Sequence, residues 1–471
     1  MILRQSPSLA HRLDILHRSA GVFFGIFLFI ILFSGCWSLG SDALRLWWND
    51  APLSGQILPI DQLIALQVDA QMIQLPQENN PVITFCQGMG QCASSYSAIT
   101  GKPIEQNTPA MWLVTLHKNL FLGFPGRIFL SLFGFALAVL LITGWFIQRK
   151  RIATMLRLPR RTSLRLFFHD LHSWLGLWCY PWLILFALTG ALSGLGALGT
   201  VSLAQRAAPE SPQMIMKNLM GGFDTVETPT DVSENTVASV ITALGETVPS
   251  FIPQTVGFQG EKWIIGGVRE GQLSTANFEQ YQFDSTKKQL VGIRDSSQQS
   301  GWTRAFIAVQ PVHYGQYQWW PQGENLASMV HFLAGIGALV LVSAGLAMWC
   351  WRRMETVFAR FIVGGCGGLL LASSVLLALA PWPLLLSSYS FFLCWAACLL
   401  LCLLYKNVRA SLAIICLLSA SLLFAAFIAS SVSHLAPFSR IDLTVLCSAV
   451  GLLIGFFACQ TLSCTAKRAR S

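Results

Sequence analysis

Eight histidines occur in this chain of 471 residues, and six of them stand at the ends of apolar runs. His17 opens one run, His117 lies ten residues before the next, and His169 and His172 open a third. His313 precedes a fourth, and His331 lies one turn inside it; only His11 and His434 are peripheral. An ionisable side chain inside an apolar segment is costly and marks a functional site by default. The order also repeats. His17-Arg-Ser-Ala-Gly21 matches His172-Ser-Trp-Leu-Gly176, and His117-Lys-Asn-Leu-Phe-Leu-Gly123 occupies the place that His313-Tyr-Gly-Gln-Tyr takes later. The runs that follow end alike, in Thr143-Gly144-Trp145 and Ala344-Gly345-Leu346.

Two such units packed together would bring one imidazole from each to both ends of a helical bundle. Paired neutral imidazoles are what the two axial positions of a haem iron take. Gly21, Gly25 and Gly176 would leave room for a flat macrocycle, and Trp174, Trp178, Phe23 and Phe24 could pack on it. Zinc is a poorer fit, since no carboxylate or Cys completes a tetrahedral set. With no Cys-x-x-Cys in the chain, covalent c-type haem attachment is excluded. His169 and His331 stand as alternative ligands, supporting partners or proton-handling groups.

The elements that must position these residues are membrane spans. The chain is 54% hydrophobic and 11% charged, with a mean hydropathy of +0.55, against about 25% charged residues in soluble domains. That excludes a cytosolic enzyme, a disordered tail and a nucleic-acid binder. A span needs roughly 20 apolar residues, and eight segments qualify: about 19–40, 127–147, 173–198, 327–349, 361–380, 384–404, 408–430 and 443–461. The expected fold is thus a polytopic α-helical membrane protein, its last four spans forming a separate region at 361–461. The first span is read as uncleaved rather than as a signal peptide.

Orientation follows from Lys and Arg. Segments 1–18, 148–172, 350–360, 405–409 and 464–471 hold 18 of the 31 basic residues and three of the 22 acids, which assigns them and both termini to the cytoplasm. The run Arg149-Lys150-Arg151 with Arg157, Arg160, Arg161 and Arg165 reads first as a topology and anionic-lipid signal. A dock for an acidic donor protein or for haem propionates is the sharper alternative.

Two long segments, 41–126 and 199–326, fall on the other side, each expected to be a small α+β domain. Segments 82–104 and 262–293 alternate apolar and polar residues as half-buried strands do, with turns at Ile99-Thr100-Gly101-Lys102 and Asp284-Ser285-Thr286-Lys287; 232–248 has helical spacing. Cys86 and Cys92 face an oxidising compartment and are expected to pair as a structural disulfide. Most other cysteines lie in or beside spans as small apolar residues.

The texts HDLHSWLGLW, LHKNLFLGFPGR and VHYGQY resemble the PepSY-associated transmembrane family, the PiuB-like, iron-regulated bacterial inner-membrane proteins, over residues 1–353. The strand–turn–strand at 262–293 resembles the PepSY module itself. The resemblance implies two b-type haems between the four core helices and reduction of ferric siderophores. Carried over by motif, the ligands are His17, His117, His172 and His313. The usual H-x-G-x-x-G before span four is reduced here to His313-Tyr-Gly315 followed by QYQWW, which leaves His313 and His331 both open as the outer ligand.

The function expected on this basis is electron transfer to a ferric siderophore at the outer face. No cytoplasmic segment exceeds about 25 residues, too short for a flavin or nicotinamide domain, so the donor would be a membrane quinol or a separate reductase. Trp302, Tyr314, Tyr317, Trp319 and Trp320 around His313 form either an interfacial aromatic belt or the face that receives the siderophore. Two other classes remain: a membrane-anchored peptidase inhibitor built on PepSY domains, and a siderophore transporter. The last four spans carry no charge in their cores, and Gly364-Gly-Cys-Gly-Gly368 offers a packing edge.

Overall fold

The computed structural model describes residues 8–67, 69–77, 80–87, 92–106, 108–154, 156–157, 159–160, 163–211, 223–229, 236–271, 279–316, 324–380, 388–433 and 444–456. Tyr317, Trp319, Trp320, Arg161, His434 and the chain end expected on the cytoplasmic side lie outside them.

Helix α1 (Leu9–Leu39) starts at Ser8, whose hydroxyl accepts from the His11 amide, and its 31 residues contain no proline. At about 1.5 Å per residue it is long enough to cross a bilayer. It leads into α2 (Ser41–Trp48) and α3 (Ile60–Ile64), strands β1 (Met72–Gln74), β2 (Val82–Cys86), β3 (Cys92–Ser97) and β4 (Pro103–Ile104), and α4 (Pro109–Asn119). A second long helix, α5 (Gly123–Gln148), follows.

The third expected span is interrupted. α6 (Leu164–Trp178) ends at Cys179 and α7 (Tyr180–Ala191) begins with Pro181 in its first turn. Proline lacks an N–H and disfavours helical geometry in the residue before it, so the helix carrying His169 and His172 is distinct from the one that continues. α7 runs through a π-helical turn, Leu192–Gly196, into α8 (Ala197–Ala207). The close fit against α5 explains the turn's glycine: a Cβ on Gly194 would lie 2.2 Å from Ser131 Oγ and 2.6 Å from the Arg127 carbonyl oxygen.

β5 (Asp224–Pro229), α9 (Val237–Thr247, with a Thr236–Ser239 capping box), β6 (Phe251–Gln259), β7 (Lys262–Arg269), β8 (Glu279–Asp284) and β9 (Gln289–Arg294) come next. Among the described residues the strands form one antiparallel nine-stranded sheet, ordered β4-β3-β2-β1-β6-β7-β8-β9-β5. The two outer segments, expected as separate units, are therefore joined. β1 pairs with β2 on one side and β6 on the other, Ile73 facing Phe85 and Val256. A single core of Leu63, Ile73, Ile83, Phe85, Val237 and Val256 draws on both segments.

The chain re-enters the helical region through α10 (Gly301–Tyr314) and α11 (Glu324–Trp351), then α12 (Val357–Ala378), α13 (Ser388–Leu404) and α14 (Val408–Ser433). Among the described residues, six helices are long and apolar enough to cross a membrane: Leu9–Leu39, Gly123–Gln148, Tyr180–Ala207, Leu326–Trp351, Val357–Ala378 and Val408–Ala429. Tyr389–Leu404 and Thr444–Phe456 are shorter apolar helices. The glycine edge of α12 seats α13 as expected. A Cβ on Gly364 would lie 2.9 Å from Leu399 Cα, and Trp395 Nε1 donates to the Gly365 carbonyl at 2.8 Å.

Candidate functional site: two histidine pairs

The four core helices α1, α5, α7 and α11 meet around Leu28, Phe133, Leu137, Leu183, Ala187, Ala338 and Leu341, with Cys179 at the α6–α7 break. A histidine pair lies beyond each end of this plug. At the end away from the sheet, His17 of α1 and His172 of α6 have ring centres 6.2 Å apart at 72°. At the sheet-bearing end, His117 of α4 and His313 of α10 have ring centres 6.1 Å apart at 26°. His17 and Ile31, the α1 residue that holds His117, are fourteen positions apart, which places the pairs about 20 Å apart along the helix.

Each imidazole is oriented by its Nδ1. His117 donates to the Ile31 carbonyl and His172 to the Leu341 carbonyl, both at 2.9 Å. A carbonyl only accepts, so Nδ1 carries the proton and Nε2 keeps a lone pair. The other two reach threonines. His17 Nδ1 lies 2.9 Å from Thr143 Oγ1, whose own proton goes to Val139 or Leu140 oxygen. His313 Nδ1 lies 2.7 Å from Thr189 Oγ1, which donates to Leu185 oxygen at 2.6 Å. Both hydroxyls are thus acceptors towards histidine, and all four rings present an unprotonated Nε2.

Glycines admit the rings. A Cβ on Gly35 would lie 2.9 Å from His117 Cε1, one on Gly144 3.3 Å from His17 Cε1, and one on Gly345 3.2 Å from His172 Cε1. Gly144 and Gly345 lie in the repeated span ends, but none of the three is among the glycines expected to leave room for a macrocycle. Gly25 is filled by Leu346, whose Cδ2 would be 2.8 Å from a Cβ there, while Gly21 and Gly176 face Leu140 and Leu341. Of the aromatic residues expected to pack on a macrocycle, Phe23 is 68% exposed and Trp178 is also exposed, both turned outward, whereas Phe24 packs on Phe133.

The arrangement suits one metal between each pair. With a metal–imidazole bond of about 2 Å and the ring centre about 1 Å behind the nitrogen, one metal held by two imidazoles would set the ring centres about 6 Å apart. Among the described residues no three His, Cys, Asp or Glu side chains gather as a metal-holding group. Each pair by itself offers two imidazole nitrogens to a metal. Nδ1 partners of this kind fix the tautomer and raise the basicity of a ligating imidazole.

The remaining candidates lie outside the pairs. His169 is exposed and its Nδ1 lies 3.4 Å from Asp170, which Arg160 grips in a two-pronged contact at 2.7 and 2.9 Å. That guanidinium holds the Asp170 carboxyl well below the usual range. His331 is buried, and both its nitrogens face backbone carbonyls. Trp302 is 58% exposed at the start of α10, and Tyr314 packs edge-on to His313. Cys86 and Cys92 form a disulfide across the β2–β3 turn.

Residues 15–353, which contain both pairs and the sheet, match the family model for the PepSY-associated TM region. The chain belongs to the PepSY-associated transmembrane family. An uncharacterized protein of Pseudomonas aeruginosa strain PAO1 is similar to it, 38% identical over 353 residues, covering 69% of this chain and 86% of that relative. The family region ends at residue 353, within the turn after α11, so α12–α14 lie beyond it. Thr189 and Gly35 were not singled out in sequence, and Thr143 was read only as part of a repeated span end. The repeated Thr-Gly and Ala-Gly at the ends of two spans was the legible trace of the surfaces that receive His17 and His172.

Proposed function

We propose that this PepSY-associated transmembrane protein is a b-type haem protein of the bacterial inner membrane. It would pass electrons across the bilayer to reduce ferric siderophores at the sheet-bearing face. The reading rests on one observation: two histidine pairs, 6.2 and 6.1 Å apart, with every Nδ1 satisfied. Haem b bound at each pair would supply a reversible one-electron centre. His17 and His172 would hold the inner group, His117 and His313 the outer one.

The protein's own contribution is insulation and placement. The plug of Leu28, Phe133, Leu137, Leu183 and Leu341 is apolar, which disfavours an ion or solute path while still permitting electron transfer. One electron converts a ferric ion, held by hard oxygen donors, to a ferrous ion held less tightly. Iron is then released. The donor, a membrane quinol or a separate cytoplasmic reductase, would reach the His17–His172 end. The basic balance of 148–172 supports cytoplasmic termini. Tyr389–Leu404 and Thr444–Phe456 would lie in two further spans, making eight, an even number that keeps both termini on one side. Trp302 and Tyr314 would border the siderophore-receiving surface.

The test is spectroscopic. Dithionite-reduced purified protein is expected to show the split visible bands of low-spin bis-imidazole haem, and pyridine haemochrome to give two haems per chain. A preparation that stays colourless after haem supply refutes the proposal. Protease activity released on removing 200–326 from such a haem-free protein would favour the peptidase-inhibitor reading instead.

A further inference from the structure

Resting on the haem reading, we propose that His331 is a positioning residue for the second pair rather than a ligand. It clamps the last turn of α10 and so aims His313.

The turn needs a clamp. α10 contains Pro311, which weakens it by withholding an N–H, and ends at Gly315 with a left-handed φ of +68°. Helix ends leave their last carbonyls without intrahelical partners. The Pro311 oxygen accepts from the amides of Gly315 and Gln316. The Val312 oxygen, one residue before His313, faces Nε2 of His331 at 3.2 Å and accepts from it in the Nε2–H tautomer. The Gly315 oxygen accepts from Ser328 Oγ at 3.3 Å. Ser328 and His331 are three apart on α11, so one face of that helix grips both sides of the turn that bears His313.

The packing is close. A Cβ on Gly315 would lie 2.7 Å from His331 Cγ, so the imidazole ring sits where only glycine fits. Phe186 lies between, its ring centre 5.8 Å from His313 and 5.9 Å from His331. Nδ1 of His331 points at the Ala327 carbonyl of its own helix at 3.1 Å. Both nitrogen directions are therefore taken by carbonyl oxygens, and the ring is 3% exposed. The four paired histidines, by contrast, remain half-buried.

The first half of the molecule does without such a residue. There α4 runs almost directly into α5, and Gly126 packs so tightly on the end of α4 that a Cβ would lie 1.9 Å from the Asn119 oxygen. Backbone contact does for His117 what a side chain does for His313, which explains why the second unit carries the extra histidine.

Three variants test this: His331→Leu, His331→Gln, which returns a donor towards Val312, and Gly315→Ala, which crowds the ring. Haem content, the electron paramagnetic resonance of the outer haem and hydrogen exchange over 311–316 in haem-free protein are measured. The expected result is that His331→Leu and Gly315→Ala keep two haems but shift the outer low-spin signal. Exchange at 311–316 should rise about tenfold, as for the loss of one buried hydrogen bond, and His331→Gln should recover both. Loss of one haem in His331→Leu with unchanged exchange would make His331 a ligand and overturn the proposal. So would a variant matching the parent in signal and exchange. A colourless parent would sink the haem reading, while the exchange measurement still tests the clamp.

Discussion

At the scale of single residues, a histidine's function is set by what holds its other nitrogen. Thr189 illustrates this: its hydroxyl is committed to the Leu185 oxygen and so accepts from His313. Thr189→Val keeps the shape and removes the acceptor. It is expected to weaken haem retention at the outer site by roughly 10–100-fold, as loss of a supporting partner does at metal sites, and to leave the inner site unchanged. Haem loss to apomyoglobin, followed at the two sites by their spectra, measures it. Gly35→Ala tests the opposite effect. Its methyl would lie 2.9 Å from His117 Cε1, and overpacking of this kind costs about 1–3 kcal/mol, so the outer haem should be lost or its ligand field distorted. The histidines were legible from type, spacing and repetition. Of their supports only Thr143 left a trace, in a repeated span end; Thr189 and Gly35 are ordinary residues for a span and gain meaning only from the ring that lands on them.

At the scale of elements, the α4 helix shows how the C-terminal region takes part in the site. Leu113 and Leu116 flank His117 on α4 and belong to one core with Leu369 and Leu376 of α12 and Phe391 of α13. Trp112 packs on Phe391 with ring centres 6.4 Å apart, and Phe121 on Phe392 at 5.2 Å. The last helices thus buttress the element that presents His117. Phe391→Ala should cost about 3–5 kcal/mol and loosen α4, lowering outer haem occupancy before inner occupancy in a thermal ramp followed by absorbance. Equal loss at both sites would detach α13 from this role. Other features of the elements were only partly readable. Strands β2, β3 and β7–β9 and helix α9 follow from alternation and helical spacing, and the break at Cys179 has its cause in Pro181. The β1–β6 pairing did not show, since β1 is three residues long and its partner lies far along the chain.

At the scale of the whole molecule, the two pairs lie on opposite sides of an apolar plug, and that separation makes a prediction about traffic. In vesicles containing the haem-loaded protein and a trapped ferric chelate, a membrane-impermeant reductant added outside should generate ferrous iron inside. A ferrous-specific indicator trapped with the chelate reports it. His17→Ala and His313→Ala should each abolish the signal, since either removes one end of the relay. The chelate itself should stay where it was placed, because Leu28, Leu137, Leu183 and Leu341 close the path between the four helices with aliphatic side chains. Substituting Leu183, which is fully buried in the plug, with Ala would open a cavity costing about 2–5 kcal/mol, yet electron flow should persist, because the electron does not need the hole that a solute would. If the chelate crosses without any reductant, the plug is a gate rather than an insulator, and the protein carries the iron complex instead of reducing it.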